Sequence, residues 1–193
     1  MDGQVSHQQA IEAMWDEHLG VATALRSLAP EVDRVVTVIA KSMAAGGALV
    51  ACGNGGSAAD AQHITAELTG RFFRDRKPLR AFALHGNTSS LTAIGNDYGY
   101  DEVFAREVGA LGREGDVLLA ISTSGNSRNV VRAIEVAREK HMSVIGLTGA
   151  GGGKLRDLCD ICLRVPSSST PRIQECHILI GHTICELLEQ ILC

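Results

Sequence analysis

Asp116-Val-Leu-Leu-Ala-Ile121 runs directly into Ser122-Thr-Ser-Gly-Asn-Ser127. The first half is a nearly continuous apolar run. A strand buried on both faces requires that pattern, and such strands belong to parallel sheets covered by helices. The second half is a polar loop, and helical periodicity resumes from Arg128 to Lys140.

Working outward, the same alternation recurs. Ala48–Cys52 reads as a strand, Gly53–Gly56 as a loop, and Ser57 to about Leu68 as a helix. Arg80–Leu84 is a strand followed by helices around Ser89–Ile94 and Asp101–Leu111. Ser143–Leu147 is a strand, Gly149–Gly153 a glycine loop, and Asp160–Val165 a fifth strand after a short helix. Strands alternating with helices predict the α/β class, with a five-stranded parallel sheet flanked by helices. Two extra helices precede it. Gln8–Ser27 has Ile11, Met14, Trp15, Leu19, Ala22 and Leu25 at helical spacing. The next helix begins at Pro30 and stops at Gly46 and Gly47. A Ser/Thr/Pro linker over 166–171 leads to a C-terminal helix from Arg172. With no interdomain linker or repeat, residues 1–193 read as one domain.

Of 193 residues, 45% are hydrophobic and 21% charged, which excludes a disordered chain. Aromatics are only 4%, so the core must be aliphatic. The net charge of −4 gives no reason to expect a nucleic-acid partner. Met1-Asp-Gly-Gln4 lacks the features of a secretory leader, and no apolar run approaches the ~20 residues of a membrane span. A cytoplasmic protein is expected. Cys159 and Cys162 form a CxxC, placed on the fifth strand with the two sulfurs toward opposite faces. Scattered buried thiols, rather than a redox pair, are expected.

The loop Cys52-Gly-Asn-Gly-Gly-Ser57 joins strand to helix, so it lies at the carboxyl edge of the sheet, beside helix N–H groups suited to an anion. Gly53, Gly55 and Ala58 also fit G-x-G-x-x-A. However, the second strand ends in Leu84-His85-Gly86-Asn87, without the carboxylate that would hold a ribose, which argues against NAD. His85 itself is expected to be a polar loop residue. Ser122–Ser127 offers four hydroxyls in six residues at a helix start, a neutral phosphate cradle that exceeds what one N-cap serine needs. Thr148–Leu155 resembles a P-loop but lacks its first glycine and its Mg²⁺-binding hydroxyl, so a turn is expected there. His63 and Glu67 share a helix face at i, i+4. Gln174 and His182, eight residues apart, fit one broad face of the last helix, with His177 on another line. Imidazoles and carboxylates suit Zn²⁺ or a similar divalent ion.

Together, CGNGGS at Cys52–Ser57, DAQH…AELTGR at Asp60–Arg71, GNDYG at Gly95–Gly99, GREGDVLLAISTSGNS at Gly112–Ser127 and RIQE…H at Arg172–His182 resemble the sugar isomerase (SIS) family, and more narrowly its phosphoheptose isomerases. The resemblance covers nearly the whole chain. It implies a homotetramer with active sites at subunit interfaces. It implies one zinc per subunit on His63, Glu67, Gln174 and His182. It places phosphate on Ser122, Thr123, Ser124 and Ser127, with Asn54, Gly55, Gly56 and Ser57 beside it, and sugar hydroxyls on Asn96 and Asp97. The implied reaction is isomerisation of sedoheptulose 7-phosphate through a cis-enediol, with Glu67 as base and His182 as acid. Glu67 is expected to shift its coordination when substrate arrives. A DnaA-binding SIS regulator, or an isomerase of another long-chain ketose phosphate, is the alternative; the complete set of ligand-type residues favours the enzyme.

Overall fold

The computed structural model describes residues 6–193; Met1–Gln4, read above for a leader, lie outside them. Five strands form one sheet: β1 (Leu49–Cys52), β2 (Ala81–Ala83), β3 (Val117–Ile121), β4 (Ser143–Thr148) and β5 (Ile161–Arg164). Their order is β2-β1-β3-β4-β5 and every pairing is parallel. The chain moves outward from β1 to β2, then returns to the other side of β1. The crevice at this switch point, beyond the carboxyl ends of β1 and β3, is where ligands bind in open α/β sheets. Both loops singled out in the sequence leave from these two strands.

Strand periodicity sorts the core into two halves. Leu49, Ala51, Val117, Leu119, Ile121, Ile145 and Leu147 face α2 (Ala29–Ala44), α3 (Gly56–Thr69) and α8 (Thr170–Leu192). Val50, Cys52, Leu118, Ala120 and Val144 face α5 (Val103–Leu111) and α6 (Arg128–Glu139), with α4 (Thr88–Tyr98) and α7 (Leu155–Leu158) alongside. The continuous apolar run of β3 is thus two alternating sets of side chains, one for each layer.

Three local expectations change. The first helix ends as an α-helix, α1, at His7–Ala24 and tightens into a 3-10 turn over Leu25–Leu28 before Pro30 restarts it. Helix α4 runs through Gly95, Asn96 and Asp97 to Tyr98, although those residues are weak helix formers; Gly99, with φ +86°, ends it. Cys159 and Cys162 do not point to opposite faces. The strand starts at Ile161, so Cys159 precedes it, and a β-carbon on Gly146 would lie 2.8 Å from Cys159 Sγ and 3.3 Å from Cys162 Sγ. Burial pushes the Cys159 thiol up to about 12, which makes it a poor nucleophile.

Candidate active site

The β1 loop and the β3 loop are tied together across the switch point. Asn54 and Asn129 exchange two amide hydrogen bonds, each 2.9 Å, and the Tyr100 hydroxyl donates to Asn54 Oδ1 at 3.0 Å. Asn129 is buried on α6. The Asn54 side chain is therefore occupied in bridging the loops, which leaves its backbone N–H as its group for a ligand. Neither Asn129 nor Tyr100 was singled out from the sequence. The available signal was adjacency: Asn129 follows the Ser122–Ser127 motif and Tyr100 follows GNDYG.

Ser127 occupies the N-cap of α6 but makes no cap hydrogen bond. Its hydroxyl lies 2.9 Å from that of buried Ser122, which is 3.5 Å from Ser124 Oγ. A capping serine would consume one of the helix's unpaired N–H groups; here the hydroxyls face one another, Asn129 Oδ1 takes the Val130 N–H at 3.0 Å, and the N–H groups of Arg128 and Asn129 stay available to an anion. The glycine loop after β4 does more than turn the chain. The Gly149 N–H donates to the Thr123 carbonyl at 2.9 Å and the Leu155 N–H to the Gly125 carbonyl at 3.1 Å. Gly125, at φ +67°, lies so close that a β-carbon on it would be 2.0 Å from the Gly152 carbonyl oxygen.

Helices α3 and α8 meet, a fact that spacing along the chain could not supply. His63 Nε2 lies 3.1 Å from Glu67 Oε1 and 3.4 Å from His182 Nε2, and one ligand atom from each residue falls within 4.8 Å of the others. Ligands bound at ~2.0–2.1 Å around a tetrahedral ion sit about 3.3 Å apart, so these spacings match the edges of such a site. Two imidazoles and a carboxylate, open on one side, are also the donor set of zinc sites that keep a position for substrate. The His63 side chain is about half exposed and that of Glu67 about a quarter. Gln174 is not brought to this cluster: its amide lies against Gly56 at the start of α3, two turns before His63, where a β-carbon would be 2.5 Å from Nε2.

The remaining residues divide. Ser57 is buried in the first turn of α3. Asn96 and Asp97 stay at the exposed end of α4, where the Asn96 amide donates to Asp97 Oδ1 at 2.7 Å. His177 is fully buried, its Nε2 3.2 Å from the Thr148 carbonyl oxygen, and takes no part in the cluster. His85 sits behind the β1 loop, its Nε2 2.9 Å from the carbonyl oxygen of Ala58 in α3's first turn. Asp60, one turn before His63, was also passed over. Burial raises its carboxyl to about 6, with the nearby His63 pulling the other way, and its Oδ2 has no partner.

A parallel sheet with a hydroxyl-lined loop at its switch point, and a His/Glu cluster where α3 meets α8, define an SIS-class domain, and the SIS domain family matches residues 19–149. The chain belongs to the SIS domain family and, within it, to the phosphoheptose isomerases. Phosphoheptose isomerase of Rhodospirillum rubrum is 59% identical over 169 residues, 88% of this chain and 90% of that one. That of Helicobacter hepaticus is 52% identical over 182 residues, 94% and 93% of the two chains. The solved structure of phosphoheptose isomerase GmhA from Neisseria gonorrhoeae superposes with a TM-score of 0.91 at 44% identity, covering 96% of this chain and all of that one.

Proposed function

We propose that this protein isomerises sedoheptulose 7-phosphate to D-glycero-D-manno-heptose 7-phosphate, a step that opens the synthesis of nucleotide-activated heptose. The observation that carries this reading is the convergence of His63, Glu67 and His182 from two helices into one open cluster, in a chain whose relatives are named phosphoheptose isomerases. In this reading Ser122, Thr123, Ser124 and Ser127 bind the phosphate, helped by the N–H groups of Arg128 and Asn129 at the start of α6. The Asn54–Ser57 backbone lies beside it, and Asn96 and Asp97 bind sugar hydroxyls. The Tyr100–Asn54 hydrogen bond supports the last assignment, because it ties the segment just after α4 to the β1 loop.

His63, Glu67, Gln174 and His182 would hold one zinc ion, which when bound polarises the substrate's carbonyl oxygen. Glu67 removes the proton from C1, and the same carbon skeleton is reprotonated at C2. His182 serves as the acid at the sugar oxygens. One oxygen of Glu67 faces His63, so the other is the atom that takes the proton. Glu67 shifts its coordination when substrate arrives, which frees that oxygen to act as the base.

The chain works as a single domain and assembles as a homotetramer with the site at subunit interfaces. Helix α1 supports the assembly: it has no buried residue, and its Ile11, Met14, Trp15 and Leu19 are between 45% and 67% exposed. A further apolar groove of about 320 Å³ opens between α2 and α8, lined by Leu25, Val32, Leu179 and Leu187. Exposed apolar surface of this extent marks a protein interface. No helix among the described residues is long and apolar enough to cross a membrane. The six cysteines are all unpaired, which fits the reducing cytoplasm where a sugar phosphate is retained.

The test is incubation with sedoheptulose 7-phosphate in D₂O, with and without zinc, followed by NMR. Zinc-dependent formation of the aldoheptose phosphate with deuterium at C2 is expected. No conversion by the zinc-loaded protein would overturn the assignment.

A further inference from the structure

We propose that Arg76 and Glu189, a buried ion pair whose residues belong to none of the motifs above, are positioning residues for Glu67 and His182. The inference rests on the isomerase reading. Both side chains are nearly inaccessible, at 3% and 2% exposed, with Arg76 Nε 2.9 Å from Glu189 Oε1. The Glu189 carboxylate also accepts the backbone N–H groups of Phe72, at 3.1 Å, and of Phe73 and Arg74, both at 2.8 Å. Four donors on two oxygens satisfy it fully.

The other end of Arg76 reaches toward the site. Its Nη2 donates to the backbone carbonyl of Glu67 and its Nη1 to that of Leu68, both at 2.8 Å. These belong to the last turn of α3, where carbonyls have no partner within the helix. Arg76 thus caps α3 by holding the peptide of Glu67 itself. Glu189 lies seven residues after His182 on α8, two turns along nearly the same face. Phe72, whose N–H it holds, has its ring 5.6 Å from the imidazole of His182. One pair therefore fixes the backbone under the base and the ring that backs the acid. A buried ion pair confers little net stability over apolar side chains of the same size, so stability is a weak reason for these charges. Directional hold on Glu67 is a function that apolar replacements cannot supply.

The experiment compares wild-type protein with Arg76→Lys, Arg76→Met and Glu189→Gln. The readouts are zinc affinity by competition with a chromogenic chelator, kcat and KM at saturating zinc, and melting temperature. Asp116→Asn is the control. Asp116 is another buried carboxylate that accepts backbone N–H groups, from Ala48 at 2.7 Å and Arg113 at 2.9 Å, at the start of the central strand β3, and it bonds neither α3 nor α8. Arg76→Met and Glu189→Gln are expected to lower zinc affinity or kcat by roughly 10–100-fold, the usual effect of losing a group that orients a ligand. KM should stay near the wild-type value because the serine loop is untouched. Arg76→Lys, which keeps a donor for one carbonyl, should recover part of the loss and also serves if Arg76→Met fails to fold. The control should melt earlier with unchanged affinity and kcat. If the Arg76 and Glu189 variants behave like the control, the pair is structural and the proposal fails. If wild-type protein neither binds zinc nor turns over, the isomerase reading fails and takes the proposal with it.

Discussion

Replacing Gly181 by alanine tests whether the close approach of α3 and α8 makes the site. Gly181 precedes His182, and it packs on Ile64, the residue after His63. A β-carbon there would lie 2.6 Å from Ile64 Cδ1 and 2.7 Å from Cγ1. Carbon atoms pack best at ~3.5–4.0 Å, so the helices must part by about 1 Å or Ile64 must leave its rotamer. Ile64 is fully buried, and overpacking of this kind costs about 1–3 kcal/mol. Alanine returns about 1 kcal/mol of helix propensity. The net loss is about 0–2 kcal/mol, which lowers the melting temperature by at most several degrees and leaves the protein folded. The site is hit harder. The present 3.4 Å between the His63 and His182 nitrogens would widen to about 4.4 Å, too far for two nitrogens held at ~2.0–2.1 Å from one tetrahedral ion. Zinc affinity should therefore fall by roughly 10–100-fold, read by chelator competition. Adding Ile64→Ala removes both clashing carbons and should restore part of the affinity. Undiminished zinc affinity in the single variant would refute the argument that helix separation sets the cluster.

Three other outcomes are expected. Gly125→Ala forces a β-carbon against the Gly152 carbonyl at a φ of +67°, so the serine loop must unpack; KM should rise at least about tenfold, and an unchanged KM would dissociate that loop from phosphate binding. Removing zinc with a chelator should abolish turnover and lower the melting temperature, with both restored by added zinc; full turnover in the metal-free protein would remove the metal from the mechanism. Burial holds the His177 imidazole down at about 4, against the opposing pull of the Thr148 carbonyl. The unfolded chain takes up a proton near pH 6.5 that the folded one refuses until about 4, so this residue's contribution to stability is lost as the pH falls through that window. In zinc-free protein, His177→Phe should flatten the fall in melting temperature between about pH 6.5 and 4; an equal slope in both proteins would exclude His177 as the cause.

The elements were legible because each had a local cause. The β3 run could be read as a buried strand, since a sheet covered on both faces leaves no polar alternation. The missed details were local too. Helix α4 continued through Gly95, Asn96 and Asp97 because the residue that leaves the helical region is Gly99, at φ +86°, and not Gly95. Cys159 left the strand register because β5 begins two residues later, so counting residues from Cys159 to Cys162 misassigned their faces.

The candidate residues were legible in type and spacing, which a chain displays one helix at a time. His63 and Glu67 share a face by the 3.6-residue period alone. Whether that face meets His182 depends on two helices separated by over a hundred residues, and the contact is decided by Gly181 seating on Ile64 within the common core. Strand order is likewise invisible in sequence: only pairing places β1 beside β3 and brings the two loops together. Asn129, Tyr100, Arg76 and Glu189 carry no motif. Their roles come from hydrogen bonds between segments far apart in the chain. Amino-acid type and periodicity determined what each element could contribute, because backbone geometry is local. Tertiary structure alone decided which contributions meet, because burial of a shared core sets distances between distant segments.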